Sequence, residues 1–204
     1  MTLARALILK PKVLLFDELL SNLDANLRRN MLDKIRELQQ QFNIKSLYVT
    51  HDQSEAFAVS DTVLVMNKGK IMQLGEPKQL YRQPASCFIA NFMGDANIFP
   101  AELTKDTVDI FGYSIPRPKE FDQLKGHYTL GVRPEATALV EKSAENQKCQ
   151  LMSVAYMGPQ YEVTINWHGQ TLLFKFNIIQ LAPDVGDYYY LHIHPHGMFI
   201  LPEE

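Results

Sequence analysis

Two adjacent acids, Asp17 and Glu18, close the apolar run Val13-Leu14-Leu15-Phe16, and the polar stretch Ser21-Asn22-Leu23-Asp24 follows them. Paired carboxylates in that position invite a divalent cation and a water to be activated. In phosphoryl transfer a strand-end Asp holds Mg2+, while a second group orients the attacking water. A second β-rich run, Lys45-Ser46-Leu47-Tyr48-Val49-Thr50, ends in His51-Asp52-Gln53. A histidine at the end of a neighbouring parallel strand would reach the same crest as Glu18. Taken alone, the first six residues suit equally well a buried strand whose acids only open a loop.

The elements around these residues must do the positioning. A short apolar run bounded by polar residues suits a strand of a parallel sheet, buried on both faces. Ligands of such sheets bind beyond the carboxyl ends of the strands, where Asp17 and Glu18 fall. Between the two runs, Leu27, Met31, Ile35, Leu38 and Phe42 recur every three or four residues, which predicts an amphipathic helix over 25–42. Asp24 is placed to cap its first turn. Arg28 and Arg29 read as its solvated face. After His51 the pattern predicts a helix over 52–59, then strand, turn and strand over 62–74. Gly69 supplies the positive φ that the tight hairpin needs. Two short helices follow, over 76–82 with proline in its first turn and over 86–93. Residues 1–9 are apolar and helix-favouring, and Lys10-Pro11 ends them.

Strand, Asp17-Glu18, Ser21-Asn22-Leu23-Asp24, amphipathic helix, strand and His51-Asp52-Gln53 resemble, in that order, the second half of an ABC-transporter ATPase. Asp17-Glu18 looks like the Walker B end, Ser21 to Asp24 like the D-loop and His51 like the switch histidine. Leu3-Ala4-Arg5-Ala6-Leu7 resembles the helix after the signature motif, and VMNKGKIMQLGEPKQLYRQP resembles the importer branch. The resemblance implies that Asp17 binds Mg2+ through water and that Glu18 polarises the attacking water. It implies that His51 contacts the γ-phosphate and that Ser21, Asn22, Leu23 and Asp24 lie across a dimer interface. One position departs from the pattern: Leu19 stands where the family usually has proline, and it loosens the turn that places Glu18. No G-x-x-x-x-G-K-[ST] motif occurs, and no two glycines are adjacent. The loop that cradles phosphate is therefore not among these residues.

Composition changes after Gly94-Asp95-Ala96-Asn97. Short β-like runs appear at 107–110, 128–132, 150–154, 161–167, 171–176 and 188–193, spaced as in a small barrel or sandwich. Tyr161, Val163, Ile165 and Trp167 alternate with Glu162, Thr164 and Asn166 in a half-buried strand, and His168-Gly169 turns the chain back. Gly131-Val132-Arg133-Pro134-Glu135 and Tyr156-Met157-Gly158-Pro159-Gln160 resemble the TOBE domain appended to many importer ATPases. Trp167, Tyr188, Tyr189 and Tyr190 are expected to pack the barrel. His192, His194 and His196 alternate, a spacing that on a strand aligns three imidazoles for zinc or nickel, but Pro195 interrupts them and surface histidines are the preferred reading.

The expected fold is thus α/β over residues 1–96, the C-terminal portion of an ABC ATPase domain with a parallel sheet. An all-β OB-like TOBE domain is expected over residues 97–204. Lys plus Arg number 20 and Asp plus Glu 23, for a net charge of −3, which gives no case for nucleic acid. No run approaches the roughly 18 apolar residues of a membrane span, and no secretory signal opens the chain. Cys87 and Cys149 lack metal spacing and read as reduced thiols.

The resemblance implies the energy-coupling ATP-binding subunit of a bacterial importer, with ferric iron favoured as cargo and sugar, sugar phosphate or polyamine as alternatives. It implies ATP and Mg2+ as cofactors if the missing N-terminal half is supplied. It also implies a second ATPase subunit, an integral-membrane permease and, indirectly, a periplasmic substrate-binding protein. The location would be cytoplasmic, on the inner face of the inner membrane. The alternative is a non-catalytic module that binds a small ligand or a partner through its β domain.

Overall fold

A computed structural model describes residues 11–140, 147–177 and 185–202. The helix expected over 1–9 lies outside them. The chain forms two compact units, residues 1–78 and 79–204.

In the first unit, strands β1 (Val13–Asp17) and β2 (Lys45–Val49) pair in parallel, with Asp17 opposite Val49. Helix α1 (Ala25–Phe42) makes the crossover that parallel pairing requires. The Asp24 carboxylate accepts the Leu27 N–H at 3.0 Å and starts the helix. Asn43, in the left-handed conformation at φ 49°, ends it with its N–H on the Gln39 carbonyl. The buried stripe of α1 is centred on Leu32 and Ile35, while Leu27 and Phe42 are exposed, so the apolar face is shifted from the expected one. Phe16, Leu20, Leu32, Ile35 and Val59 form the core. The strand expected to be buried on both faces is covered on one. Leu14 and Phe16 point into that core, whereas Leu15 is 73% exposed. On the outer face Val13, Leu15, Leu47 and Val49 are all exposed. Helix α2 (Gln53–Val59) follows, then the antiparallel hairpin of β3 (Val63–Asn67) and β4 (Lys70–Gly75). Its turn is Lys68-Gly69 with φ 47° and 75°, the positive pair that a two-residue hairpin demands.

Helix α3 (Pro77–Arg82) crosses the unit boundary. The second unit continues with α4 (Cys87–Phe92), whose first turn is capped by the Ser86 hydroxyl. Ten strands follow: β5 (Asn97–Leu103), β6 (Thr107–Ile110), β7 (Tyr113–Pro116), β8 (Gly126–Val132), β9 (Thr137–Val140), β10 (Gln147–Tyr156), β11 (Gln160–Trp167), β12 (Gln170–Asn177), β13 (Tyr188–Ile193) and β14 (Met198–Leu201). They form two antiparallel five-stranded sheets, ordered β14-β8-β5-β6-β7 and β12-β11-β10-β13-β9. The two sheets share one apolar core in which Phe99, Leu130, Ile165, Trp167 and Phe174 are almost fully buried. Trp167 meets Phe99, Phe111 and Tyr113 edge to face. Tyr188 departs from its expected packing: it is exposed, with the Lys148 ammonium 3.9 Å above its ring.

Two polar side chains join parts of this unit that the apolar pattern does not connect. Asn97 of β5 donates to the Leu173 carbonyl at 2.8 Å and accepts its N–H at 2.9 Å, so one side chain acts as a strand partner for β12. Arg133, 2% exposed, donates to the carbonyls of Tyr81, Ala90, Gly94 and Asp95 at 2.6–3.0 Å. Its guanidinium lies 4.0 Å from the Tyr81 ring centroid, and burial holds its pKa below the usual arginine value. This fork explains why the compact unit begins at Gln79, although the composition changes only at residue 97. Gly131 is required by close approach: a Cβ there would lie 2.2 Å from the Phe199 ring.

Candidate functional site

β1 and β2 leave their sheet at the same end, so the residues after Asp17 and Val49 share one crest. Glu18 takes a left-handed backbone, φ 43°, at a cost of about 1 kcal/mol for a non-glycine residue. Main-chain bonds hold it there. Its N–H donates to the Val49 carbonyl at 3.0 Å, and its own carbonyl accepts the Ser21 hydroxyl at 3.0 Å. Leu19 is exposed after this turn and Leu20 is buried beneath it. The turn that a proline would have stiffened is thus fixed here by hydrogen bonds and by the Leu20 anchor.

Glu18 Oε1 lies 3.2 Å from His51 Nδ1. Their side chains are 56% and 75% exposed, so the contact adds little to stability. What it provides is placement: a carboxylate and an imidazole side by side, open to a substrate. Asp17, also exposed, ends β1 next to them. Asp24 caps α1, and Ser21 and Asn22 are exposed on the turn before it. The structure therefore brings Glu18 and His51 into contact and sets Asp17 and the 21–24 turn beside Glu18 in sequence.

Behind this crest lies a network that the sequence reading missed. Arg28, expected on a solvated face, is partly buried. Its Nη1 donates to Asp52 at 3.2 Å, its Nη2 to the Leu23 carbonyl at 3.1 Å, and its Nε lies 3.5 Å from Glu55. Glu55, only 3% exposed, accepts from Tyr48 at 3.0 Å and from Thr50 at 2.8 Å. Burial, then the hydrogen bond to Glu55, pushes the Tyr48 phenol well above its ordinary pKa. Asp52 caps α2 through the N–H groups of Ser54 and Glu55. The spacing Asp52-x-x-Glu55 is the signal that could have flagged these residues, because it marks a helix start. Arg29, by contrast, is exposed as expected.

In the second unit, the rings of His192 and His194 are 4.6 Å apart and those of His194 and His196 5.4 Å. Burial, then the neighbouring His192 and His196, holds the His194 pKa down. Pro195 opens a short 3₁₀ turn, so the three do not form a strand ladder. Among the described residues no group of three or more His, Cys, Asp or Glu side chains is arranged to hold a metal ion.

Comparison with known proteins adds to this geometry. Residues 130–201 match the TOBE domain. Over 202 residues the chain is 69% identical to Fe(3+) ions import ATP-binding protein FbpC 1 of Pectobacterium atrosepticum. It is 71% identical to Fe(3+) ions import ATP-binding protein FbpC of Photorhabdus laumondii. The chain is a relative of these import ATP-binding proteins. The alignments cover 99% of this chain and 57% and 58% of those proteins, so it spans little more than half of their length. The solved molybdate-bound ModG, a cytoplasmic molybdate-binding protein, overlaps at TM-score 0.42 and 14% identity, covering 52% of this chain and 96% of that one. At that overlap no ligand or function transfers.

The relatedness agrees with the resemblance drawn from Asp17-Glu18, Ser21 to Asp24 and His51, and with the β domain expected at the C-terminal end. Among the described residues no helix is long and apolar enough to cross a membrane.

Proposed function

We propose that the chain supplies the water-activating part of an ATP-binding subunit that drives Fe(3+) import. The contact of Glu18 with His51 at the shared carboxyl end of two parallel strands carries the reading, and the relatives' printed names support the cargo. Glu18 would polarise the attacking water, and His51 would contact the γ-phosphate. Ser21, Asn22, Leu23 and Asp24 would face a second ATPase subunit. An integral-membrane permease and, through it, a periplasmic substrate-binding protein would complete the system, placing the chain on the cytoplasmic face of the inner membrane.

Asp17 offers one hard oxygen ligand, which fits Mg2+, an ion that keeps several waters and takes one or two carboxylates beside substrate phosphates. Asp17 would hold the ion there through water, and the ion would supply charge neutralisation at the transferred phosphoryl group. No phosphate-cradling loop occurs in the 204 residues, so we expect this chain alone to hydrolyse no ATP. The test is made on the assembly captured from source cells with an antibody to residues 79–204. Glu18→Gln is expected to lower its ATP turnover at least about 100-fold and to stop ferric-iron uptake, as loss of a general base does. Unchanged turnover and uptake would overturn the reading in favour of a ligand- or partner-binding module acting through its β unit.

A further inference from the structure

His51 stands between two residues that are both pinned from behind. Thr50 is held by its hydroxyl on buried Glu55, and its Oγ1 in turn accepts the Asp52 N–H at 3.0 Å. Asp52 is held by Arg28 and by its cap on α2. The same guanidinium donates to the carbonyl of Leu23. One side chain thus grips the 21–24 turn on one side of the crest and the 50–55 segment on the other. We infer that Arg28 is a positioning residue: it sets the distance between the 21–24 turn and the His51 segment and so keeps the imidazole against Glu18. Its meaning for catalysis rests on the function proposed above; its geometry does not.

The residue type follows from the task. One guanidinium donates hydrogen bonds to a carbonyl and a carboxylate, of Leu23 and Asp52, while a second carboxylate, of Glu55, pairs with its charge at 3.5 Å. A planar fork of donors suits acceptors placed apart in this way. A lysine carries the same charge on a single nitrogen and would serve part of the set. Glu55 supplies the rigid side of the arrangement. A carboxylate buried to that extent needs its partners, and three of them, Tyr48, Thr50 and Arg28, lie on β2, on the segment after it and on α1. Movement of the 21–24 turn would therefore draw on Arg28, and through Arg28 on the residues that flank His51. A turn that faces a second subunit would in this way report its contacts to the histidine.

The experiment reads the tautomer of His51 by nitrogen-15 NMR of the full chain at mildly alkaline pH, where imidazoles are neutral. His51→Gln assigns the signal. An ionised carboxylate only accepts, so contact with Glu18 favours the Nδ1–H form. Arg28→Gln and Glu55→Gln are each expected to lower the ratio of Nδ1–H to Nε2–H roughly threefold or more, as for residues coupled in one network. Arg28→Lys is expected to fall between. If Arg28→Gln does not fold, the lysine variant and Glu55→Gln carry the measurement. A parent-like ratio in the folded variants would overturn the proposal and leave Arg28 as a tie between α1 and α2. No nucleotide enters this experiment, so its failure is separate from failure of the Glu18→Gln test.

Discussion

The two units solve burial differently. Residues 79–204 wrap two five-stranded sheets around one apolar core and spend a buried arginine and a buried asparagine on joining parts that apolar packing alone would leave loose. Residues 1–78 bury one face of a two-stranded parallel sheet and leave Val13, Leu15, Leu47 and Val49 exposed on the other. The chemistry sits on the second kind of scaffold. Its precision comes from main-chain bonds at Glu18 and from the Arg28–Glu55 network, because the apolar core beneath is small.

The largest effect we expect tests how far the β unit depends on residues 79–96. Trp167 is the one tryptophan of the chain, so its fluorescence reports this unit. In the full chain, Arg133→Met should lower the unfolding free energy by about 3 kcal/mol, since four carbonyls lose their donor. A chain of residues 97–204 lacks those acceptors and should already be weaker by a similar amount, and there Arg133→Met should be neutral or stabilising. Equal losses in both backgrounds would break the comparison and restore residue 97 as the working boundary.

How much was legible in the sequence follows the same division. The α1 helix could be read because its apolar residues recur at helical spacing, and the crest because an acid pair ends an apolar run and a histidine ends a β-rich one. The strands β10 to β13 could be read from alternation and turns. What escaped was burial that depends on tertiary partners. Arg28 sits at a position where a charged helix face is the ordinary expectation, and only the fold brings Asp52, Glu55 and the Leu23 carbonyl to it. Leu15 was expected inside because an apolar run does not say how many faces are covered. Arg133 looks like part of a short motif, and its four carbonyl partners lie 38–52 residues earlier. Tyr188 follows the strand pattern but sits at the strand's exposed end.

A smaller effect should appear with pH in the β unit. The His194 pKa is held below its ordinary value of 6.5 by burial and by its two histidine neighbours. The unfolded chain therefore takes up a proton at a higher pH than the folded one. This contribution to stability is fully present above about pH 6.5 and is lost as the pH falls through the folded value. Denaturant midpoints read by Trp167 fluorescence should show that slope, and His194→Gln should flatten it. A slope unchanged by the substitution would assign the acid sensitivity to other groups and remove the histidine trio from the comparison.

The smallest expected effect is the most informative about the first unit. Leu15 and Phe16 are neighbours on β1 that face opposite ways, 73% and 6% exposed. If the outer face is free in solution, Leu15→Thr should change the unfolding free energy by no more than about 0.5 kcal/mol, because threonine keeps the β preference and no packed contact is lost. The urea midpoint followed by far-UV circular dichroism, which α1 dominates in this unit, would measure it. Self-association should fall at the same time, since an exposed apolar sheet face favours contact between copies. Sedimentation at several concentrations would show this. A loss above about 2 kcal/mol from Leu15→Thr would instead have the size of a core substitution. The outer face would then be packed in solution, and the contrast between the two units would lie in what covers each sheet and no longer in how much of it is covered.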